Sequence, residues 1–414
     1  MIRTKLMTMC LAAISVMCSP LFASFPQTVF LDYDAFTDTG ADPADHVYTA
    51  GERIAVVDTL NDKFSLFPVS FTNTKPVSGL YSTVFFNAGL GSGSIDFQNK
   101  KMSDTATVHA PKLLDIAGIT LGTATPTEVV QASINTGAHE TLHILGTRHH
   151  DAFLPVLAGV SPGTGGADWD PVYTGPEGAF LTGMEFNGLT TSLGTFGAAS
   201  LLSPDLFIGP RSGVKLLHDT FIDLDEDSAD KNFILDPQPL PLKTIPLPNL
   251  LPPGDPFAGF ELFADVVIVE EASIEMFLDP SGAPLGPESD YYSIDAGAGD
   301  VFTVEVISEL GPGDPLDTTV ALLDPALGYS PVPWYPSALN NDERESTDSL
   351  IQDVIIPSDG IYVIEVFTPF GSLDEFGDYE MLVYRLRAIP EPATMGLLLI
   401  GSAGLLAKWR RRRG

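Results

Sequence analysis

Cysteine is almost missing: there are two in 414 residues, Cys10 and Cys18. Both fall in residues 1–24, where a basic start (Arg3, Lys5) leads into an apolar run from Leu6 to Met17 and then small residues at Ala23 and Ser24. That order is the order of a secretory signal peptide, which export removes. The residues before Cys18 lack the small side chain that a lipoprotein signal places there. The mature chain is therefore expected to hold no disulfide, no thiol nucleophile and no thiolate metal ligand. A thiolate-based zymogen latch is excluded on the same ground, and no stretch for a pro-segment lies between residue 24 and the first expected strand.

Basic charge is scarce as well. Lys and Arg number 21 against 54 Asp and Glu, a net of -33. Residues 1–24 and 391–414 hold seven of the basic residues and one of the acidic, so the body between them carries 14 against 53, a net of -39. A surface of that sign repels phosphate backbones and anionic lipid, which excludes nucleic-acid binding and favours divalent cations or cationic groups as partners. Charged residues are only 18% and hydrophobic residues 44%, the balance of a packed globular chain and not of a disordered one. At about 150 residues per domain the length suits two or three domains.

What the chain does have is order along its length. From Gln27 to about Leu235, strand and helix patterns alternate. Strands are expected at Thr28–Phe36, Pro68–Asn73 and Tyr81–Asn87, with a short edge strand at residues 105–109. Glu52–Phe64 reads as a helix with Ile54, Val57, Leu60 and Phe64 on its buried face. A second helix begins at Thr125-Pro126-Thr127-Glu128, a capping box with proline in the first turn, and ends near Leu145 at Gly146. Eight prolines lie between Pro237 and Pro256, which reads as a semi-rigid spacer unable to form a ladder. Short β-rich runs separated by Gly, Asp and Pro turns fill 262–387, the pattern of an antiparallel sandwich.

The second helix carries His139-Glu140-Thr141-Leu142-His143. Positions i and i+4 share a helical face, so both imidazoles reach one ion, and the intervening glutamate can point at water beside it. Gly146 permits a left-handed turn that swings the chain back and brings His149 toward the same point. Three nitrogen ligands leave a fourth zinc position open. Four of the seven histidines fall within these twelve residues, 139–150.

The run from His139 to His149 resembles the metzincin clan of zinc metallopeptidases. The resemblance implies His139, His143 and His149 as zinc ligands and Glu140 as the general base that activates water against a peptide carbonyl. It also implies a methionine turn below the metal; Met184 is the methionine available for it, against the alternative of an ordinary core methionine. Phe186 stands where some members carry a metal-binding tyrosine. His150 reads as a supporting or surface residue, and Asp151 could orient an imidazole or the turn. A structural metal site, or a zinc hydrolase of another kind such as a deamidase, has the same ligands.

Farther on, Asp223, Asp225 and Asp227 alternate as calcium ligands do, but Ser228 and Ile234 break the EF-hand pattern. Calcium is thus a second candidate cation, beside a solvated acidic loop. Asp290-Tyr291-Tyr292, Asp317 with Val320–Leu323, Asn341-Asp342, Gly360-Ile361-Tyr362 and Gly377-Asp378-Tyr379 resemble the bacterial pre-peptidase C-terminal domain, which implies a β-sandwich that aids secretion, substrate binding or stability.

At the C-terminus, Pro390-Glu391-Pro392 precedes an apolar run, Ala393 to Ala407, then Lys408-Trp409 and four arginines, Arg410 to Arg413. Fifteen residues at about 1.5 Å each reach roughly 22 Å, short of a 30 Å hydrocarbon core. The basic cluster would hold that end on the cytoplasmic side. The arrangement resembles the PEP-CTERM sorting signal of Gram-negative bacteria. It implies export, transient inner-membrane association, processing by an exosortase near the tripeptide, and a final place at the cell surface or in the extracellular matrix.

The expectation is therefore an α+β zincin- or metzincin-like catalytic domain followed by an all-β sandwich. Its divisions are a signal peptide (1–24), a zinc metallopeptidase domain (25–235), a proline-rich linker (236–261), a sandwich (262–388) and a sorting signal (389–414). The expected activity is zinc-dependent hydrolysis of a protein or peptide substrate. The alternative is a surface or matrix binding protein with a vestigial or structural zinc site.

Overall fold

The computed structural model describes residues 27–37, 45–89, 91–93, 96, 99–120, 122–148, 201–205, 207–217, 223–225, 234–250, 260–274, 276–278, 284–308, 316–332, 339–340, 348–368 and 377–390. The expected signal peptide and sorting tail lie outside these residues, apart from 389–390.

The first sheet grows from three short apolar runs. β1 (Gln27–Asp32), β2 (Val69–Thr72), β3 (Ser82–Phe86), β4 (Ser92–Gly93) and β5 (Thr105–Val108) lie in the order β2-β1-β3-β5-β4. All neighbours are parallel except β4, which runs antiparallel to β5 and forms the edge. The 105–109 segment was expected at the edge, but β5 is internal, because the two-residue β4 covers its outer side.

Helices α1 (Ala50–Lys63), α2 (Ala110–Ile116) and α3 (Pro126–Ile144) pack with this sheet. α1 starts at a capping box in which the Thr49 hydroxyl accepts from Glu52 N and the Glu52 carboxylate accepts from Thr49 N. Its buried face is Val56, Leu60 and Phe64, whereas Ile54, expected inside, is half exposed. α3 opens with the same device, Thr125 and Glu128, as its sequence indicated. From Ala132 to Ile144 every residue of α3 is buried, so this helix is enclosed on all sides and is not a surface amphipath.

Two six-stranded sheets follow. After the short helix α4 (Pro210–Leu216), the strands are β6 (Asp223–Asp225), β7 (Gln238–Pro239), β8 (Lys243–Leu247), β9 (Phe260–Ile274), β10 (Met276–Leu278), β11 (Pro284–Pro287), β12 (Asp290–Ala296), β13 (Val301–Ile307), β14 (Thr319–Asp324), β15 (Ser330–Pro331), β16 (Leu339–Asn340), β17 (Ser349–Ile355), β18 (Gly360–Phe367) and β19 (Gly377–Pro390). One sheet has the order β15-β14-β18-β12-β7, with β16 also on β14; the other has β17-β13-β19-β9-β6, with β8 also on β9. Their facing sides share one apolar core that includes Val267, Tyr292, Val304, Ile364 and Val383.

β9 and β19 decide the architecture. Successive side chains on a strand point to opposite faces. Val267, Val269, Met381 and Val383 enter the sandwich core, while Ala264, Val266, Ile268, Leu382, Tyr384 and Leu386 enter the core of the helices and the first sheet. Being buried on both faces explains the unbroken apolar run Val266–Val269, which a strand with one wet face would not have.

The expectation of an α+β zincin- or metzincin-like catalytic domain followed by a separate sandwich is overturned. The described residues are mostly strand with few helices, their sheets form a sandwich-like arrangement, and no α+β zincin-type domain stands apart within it. Local pattern reported the elements before Leu235 but not that their apolar faces close on β9 and β19. The proline-rich segment likewise differs from a spacer without ladders. It supplies β7, paired with β12, and β8, paired with β9. Ile245 and Leu247 point inward while Pro246 lies on the outer side of a strand with a single partner, where its missing N–H breaks no ladder.

Candidate functional site

The last three turns of α3 bring His139, Glu140 and His143 to one place. All three are buried, with 3%, 4% and 5% exposure respectively. The Nε2 atoms of His139 and His143 are 3.1 Å apart, and the rings meet nearly edge to face with centroids 4.5 Å apart. One-turn spacing along a helix produces this convergence.

The turn after the helix orients the second ring. Gly146 adopts φ 91°, the left-handed conformation anticipated for it. Gly146 N donates to His143 O and Thr147 N to Leu142 O, each at 2.9 Å, which folds the chain back over the helix end. The Thr147 carbonyl then stands 2.9 Å from His143 Nδ1. With the Nδ1 proton donated to that carbonyl, Nε2 carries the lone pair and faces His139 Nε2.

Glu140 has a different environment. Its Oε2 is buried without a hydrogen-bond partner among the described residues, and burial pushes the carboxyl up to about 8. Two glycines of the sheet edge lie over it. A β-carbon on Gly91 would lie 2.8 Å from Glu140 Oε1, and one on Gly93 would lie 2.9 Å from the Glu140 carbonyl oxygen. Asp96 N donates to His143 O at 3.4 Å, so the stretch after β4 also rests on this helix.

These residues fit a zinc ion as far as they extend. Two imidazole nitrogens at about 2.0–2.1 Å from tetrahedral zinc stand about 3.3 Å apart, close to the separation here. A carbonyl acceptor on the far ring nitrogen is the usual support of a ligating histidine. Among the described residues, however, no group of three or more His, Cys, Asp or Glu side chains gathers as a metal site. His149, His150 and Asp151 lie outside the described residues, as do Met184 and Phe186. Asp223 and Asp225 are on strand β6, paired in parallel with β9, and not in a loop. Their side chains, and Asp227 entirely, lie outside the description.

Sequence reasoning missed Arg148. It is 4% exposed, and its guanidinium Nη2 is 2.5 Å from Asp348 Oδ2 while Nε is 3.3 Å from Glu305 Oε1. Both carboxylates belong to the sandwich, about 160 to 200 residues farther on, and no local pattern announces such a pairing.

At the C-terminus, residues 388–413 match the model of the PEP-CTERM protein-sorting motif. The chain carries a PEP-CTERM signal. This signal is found in exported proteins of Gram-negative bacteria, and it implies a sorting partner of the exosortase type. Among the described residues no helix is long and apolar enough to cross a membrane; the apolar run 393–407 of the PEP-CTERM segment lies outside them. No curated protein matches the sequence. Among solved structures, PliG of Aeromonas hydrophila, a periplasmic inhibitor of g-type lysozyme, is similar over 40% of this chain and 100% of its own. The identity is 12% and the TM-score 0.19, and at that value the likeness carries no argument.

Proposed function

We propose that the chain is an exported zinc-dependent hydrolase of peptide bonds, with His139, His143 and His149 holding the metal and Glu140 acting as general base. The observation that carries this reading is the pairing of two converging Nε2 atoms, one of them set by the Thr147 carbonyl, with a buried glutamate whose Oε2 has no hydrogen-bond partner among the described residues. A purely structural metal site has no use for a carboxylate left without a partner at its side, because burying one without compensation is costly.

Zinc, when bound, supplies Lewis acidity, polarising a substrate carbonyl and making water easier to deprotonate. The chain's own residues supply the remainder. His139 and His143 present neutral Nε2 atoms, and the Thr147 carbonyl keeps the second in the correct tautomer. Glu140 accepts the proton of the attacking water on Oε2 and passes it to the departing amine. Burial raises its proton affinity, and a cation nearby lowers it again, which brings the group toward neutral pH from both sides. The glycines at 91 and 93 leave its carboxylate uncovered by side chains from the sheet edge.

Processing near Pro390-Glu391-Pro392, transient retention in the inner membrane through 393–407 and a final place at the cell surface or in the matrix follow from the sorting signal as the second part of this proposal. The alternating carboxylates at Asp223, Asp225 and Asp227 remain a proposed calcium site, which a calcium titration of the purified chain checks.

The test is to measure bound zinc in the purified chain and compare casein or peptide cleavage with Glu140→Ala. One zinc per chain, with cleavage that falls at least 1,000-fold in the variant, is the expected result. Stoichiometric zinc with no Glu140-dependent cleavage of any protein substrate overturns the hydrolase and leaves a binding protein with a structural zinc.

A further inference from the structure

The sheet that holds β13 presents a polar stripe to α4 and to Arg148, in the turn after the histidine helix. On β13, Phe302, Val304 and Val306 enter the sandwich core, so Thr303 and Glu305 face the opposite way. Thr303 meets Arg211, whose Nη1 donates to Thr303 Oγ1 and Tyr384 OH at 3.2 Å each. Glu305, 1% exposed, meets two cations: Lys215 Nζ at 2.8 Å from Oε2 and Arg148 Nε at 3.3 Å from Oε1. Asp348, immediately before β17, completes the set. Its Oδ2 takes Arg148 Nη2 at 2.5 Å while its Oδ1 accepts from Ser308 N at 2.7 Å and Ser308 Oγ at 3.1 Å. Arg148 and Lys215 are thus buried together with Glu305 and Asp348.

Arg148 is one peptide bond from Thr147, and Thr147 O is the acceptor for His143 Nδ1. A guanidinium fixed at two points has little freedom to turn, so its own backbone nitrogen, and the carbonyl bonded to that nitrogen, are fixed with it. A chain of contacts therefore runs from the sandwich to the ring: Asp348 and Glu305, Arg148, Thr147 O, His143 Nδ1.

We propose that the sandwich is a working part of the metal centre, with Arg148, Asp348 and Glu305 as positioning residues that hold the Thr147 carbonyl and thereby the orientation and tautomer of His143. The proposal rests on the zinc reading above but adds to it. His143 is then held in place only when β13 and the residue before β17 are docked, and the metal affinity of the helix depends on residues about 160 to 200 positions away.

The test uses the whole chain and two readouts. The first is the zinc dissociation constant by competition with a chromophoric chelator. The second is the 15N shift of His143 Nδ1 in zinc-free protein, which reports whether that nitrogen carries the proton. The variant is Arg148→Gln/Asp348→Asn, which removes one cation and one anion and leaves no unpaired buried charge; Arg148→Lys, which keeps the charge but loses the two-point grip, is its companion. The expected result is a folded double variant with zinc bound about 10–100-fold more weakly, the range for loss of a ligand's supporting partner, a changed Nδ1 shift, and a smaller loss in Arg148→Lys. A folded double variant with zinc affinity within about twofold of the parent and unchanged shifts overturns the proposal. Failure of the parent chain to bind zinc sinks the zinc reading alone, since the His143 shift in zinc-free protein still decides whether Arg148 positions the Thr147 carbonyl.

Discussion

A β-carbon placed on Gly93 would lie 2.9 Å from the carbonyl oxygen of Glu140 and 3.2 Å from Cβ of His143. The edge strand and the histidine helix approach so closely that one methyl group cannot enter without moving backbone. Gly93→Ala is expected to destabilise the chain by about 1–3 kcal/mol, the usual range for overpacking, and to weaken zinc binding by displacing His143. Gly51→Ala is the control: nothing lies within 4 Å of its β-carbon, and the helical position makes alanine neutral or stabilising by up to about 1 kcal/mol. Urea unfolding of both variants separates the outcomes; equal midpoints would show that the strand is free to retreat.

The helices and the sandwich share a core through Ala264, Val266, Ile268, Leu382, Tyr384 and Leu386. A chain cut after residue 235 loses these residues and leaves the rest of that core without them. The fragment is expected to lack a cooperative unfolding transition and to bind a hydrophobic dye. A sharp transition with native near-ultraviolet dichroism would show that the part folds alone.

In the sandwich core Tyr379 OH donates to Asp290 Oδ2 at 2.6 Å and lies 2.7 Å from Tyr292 OH, all three residues being fully buried. Burial, then the neighbouring Tyr292 and Asp290, hold the Tyr379 hydroxyl well above its ordinary range, so it stays a donor at any working pH. Tyr379→Phe removes a donor from a buried carboxylate and is expected to cost about 1–3 kcal/mol in urea unfolding. Tyr291→Phe, partly buried and near the surface, should cost less.

The capping box of α3 gives an acid response. Glu128 is held below its ordinary 4.5 by the backbone N–H of Thr125 and then by the Thr125 hydroxyl. A lowered value in the folded state means that the ionised carboxylate stabilises the fold above the unfolded value, and that this contribution disappears as pH falls from about 4.5 through the folded value. Glu128→Gln should flatten the stability profile in that window, while Thr125→Ala should lower stability by about 1 kcal/mol at neutral pH. Thermal melts between pH 3 and 7, roughly the span of carboxylate titration, check both; a profile unchanged in Glu128→Gln refutes the assignment.

Thr125-Pro126-Thr127-Glu128 and Gly146 marked both ends of α3 because capping and the left-handed turn are local chemistry, settled within four residues. His139 and His143 met as their spacing requires, for the same reason. Ile54 went wrong because helical periodicity leaves the buried face ambiguous by one position, and the sheet, not the helix, chose Val56. The proline-rich segment went wrong because a proline excludes only a central ladder position, and β8 has a single partner strand.

The sequence alone determined the C-terminal sorting segment, the scarcity of cysteine and of basic charge, and the helix that pairs His139 with His143 around Glu140. Each depends on composition or on neighbours a few positions apart. Only the tertiary structure decided that β9 and β19 serve two cores at once, that the sandwich is not a separate appendage, and that Arg148 is gripped by Glu305 and Asp348. Those contacts join residues as much as 200 positions apart and more, and alternation along a strand says that two faces exist but not what will cover each.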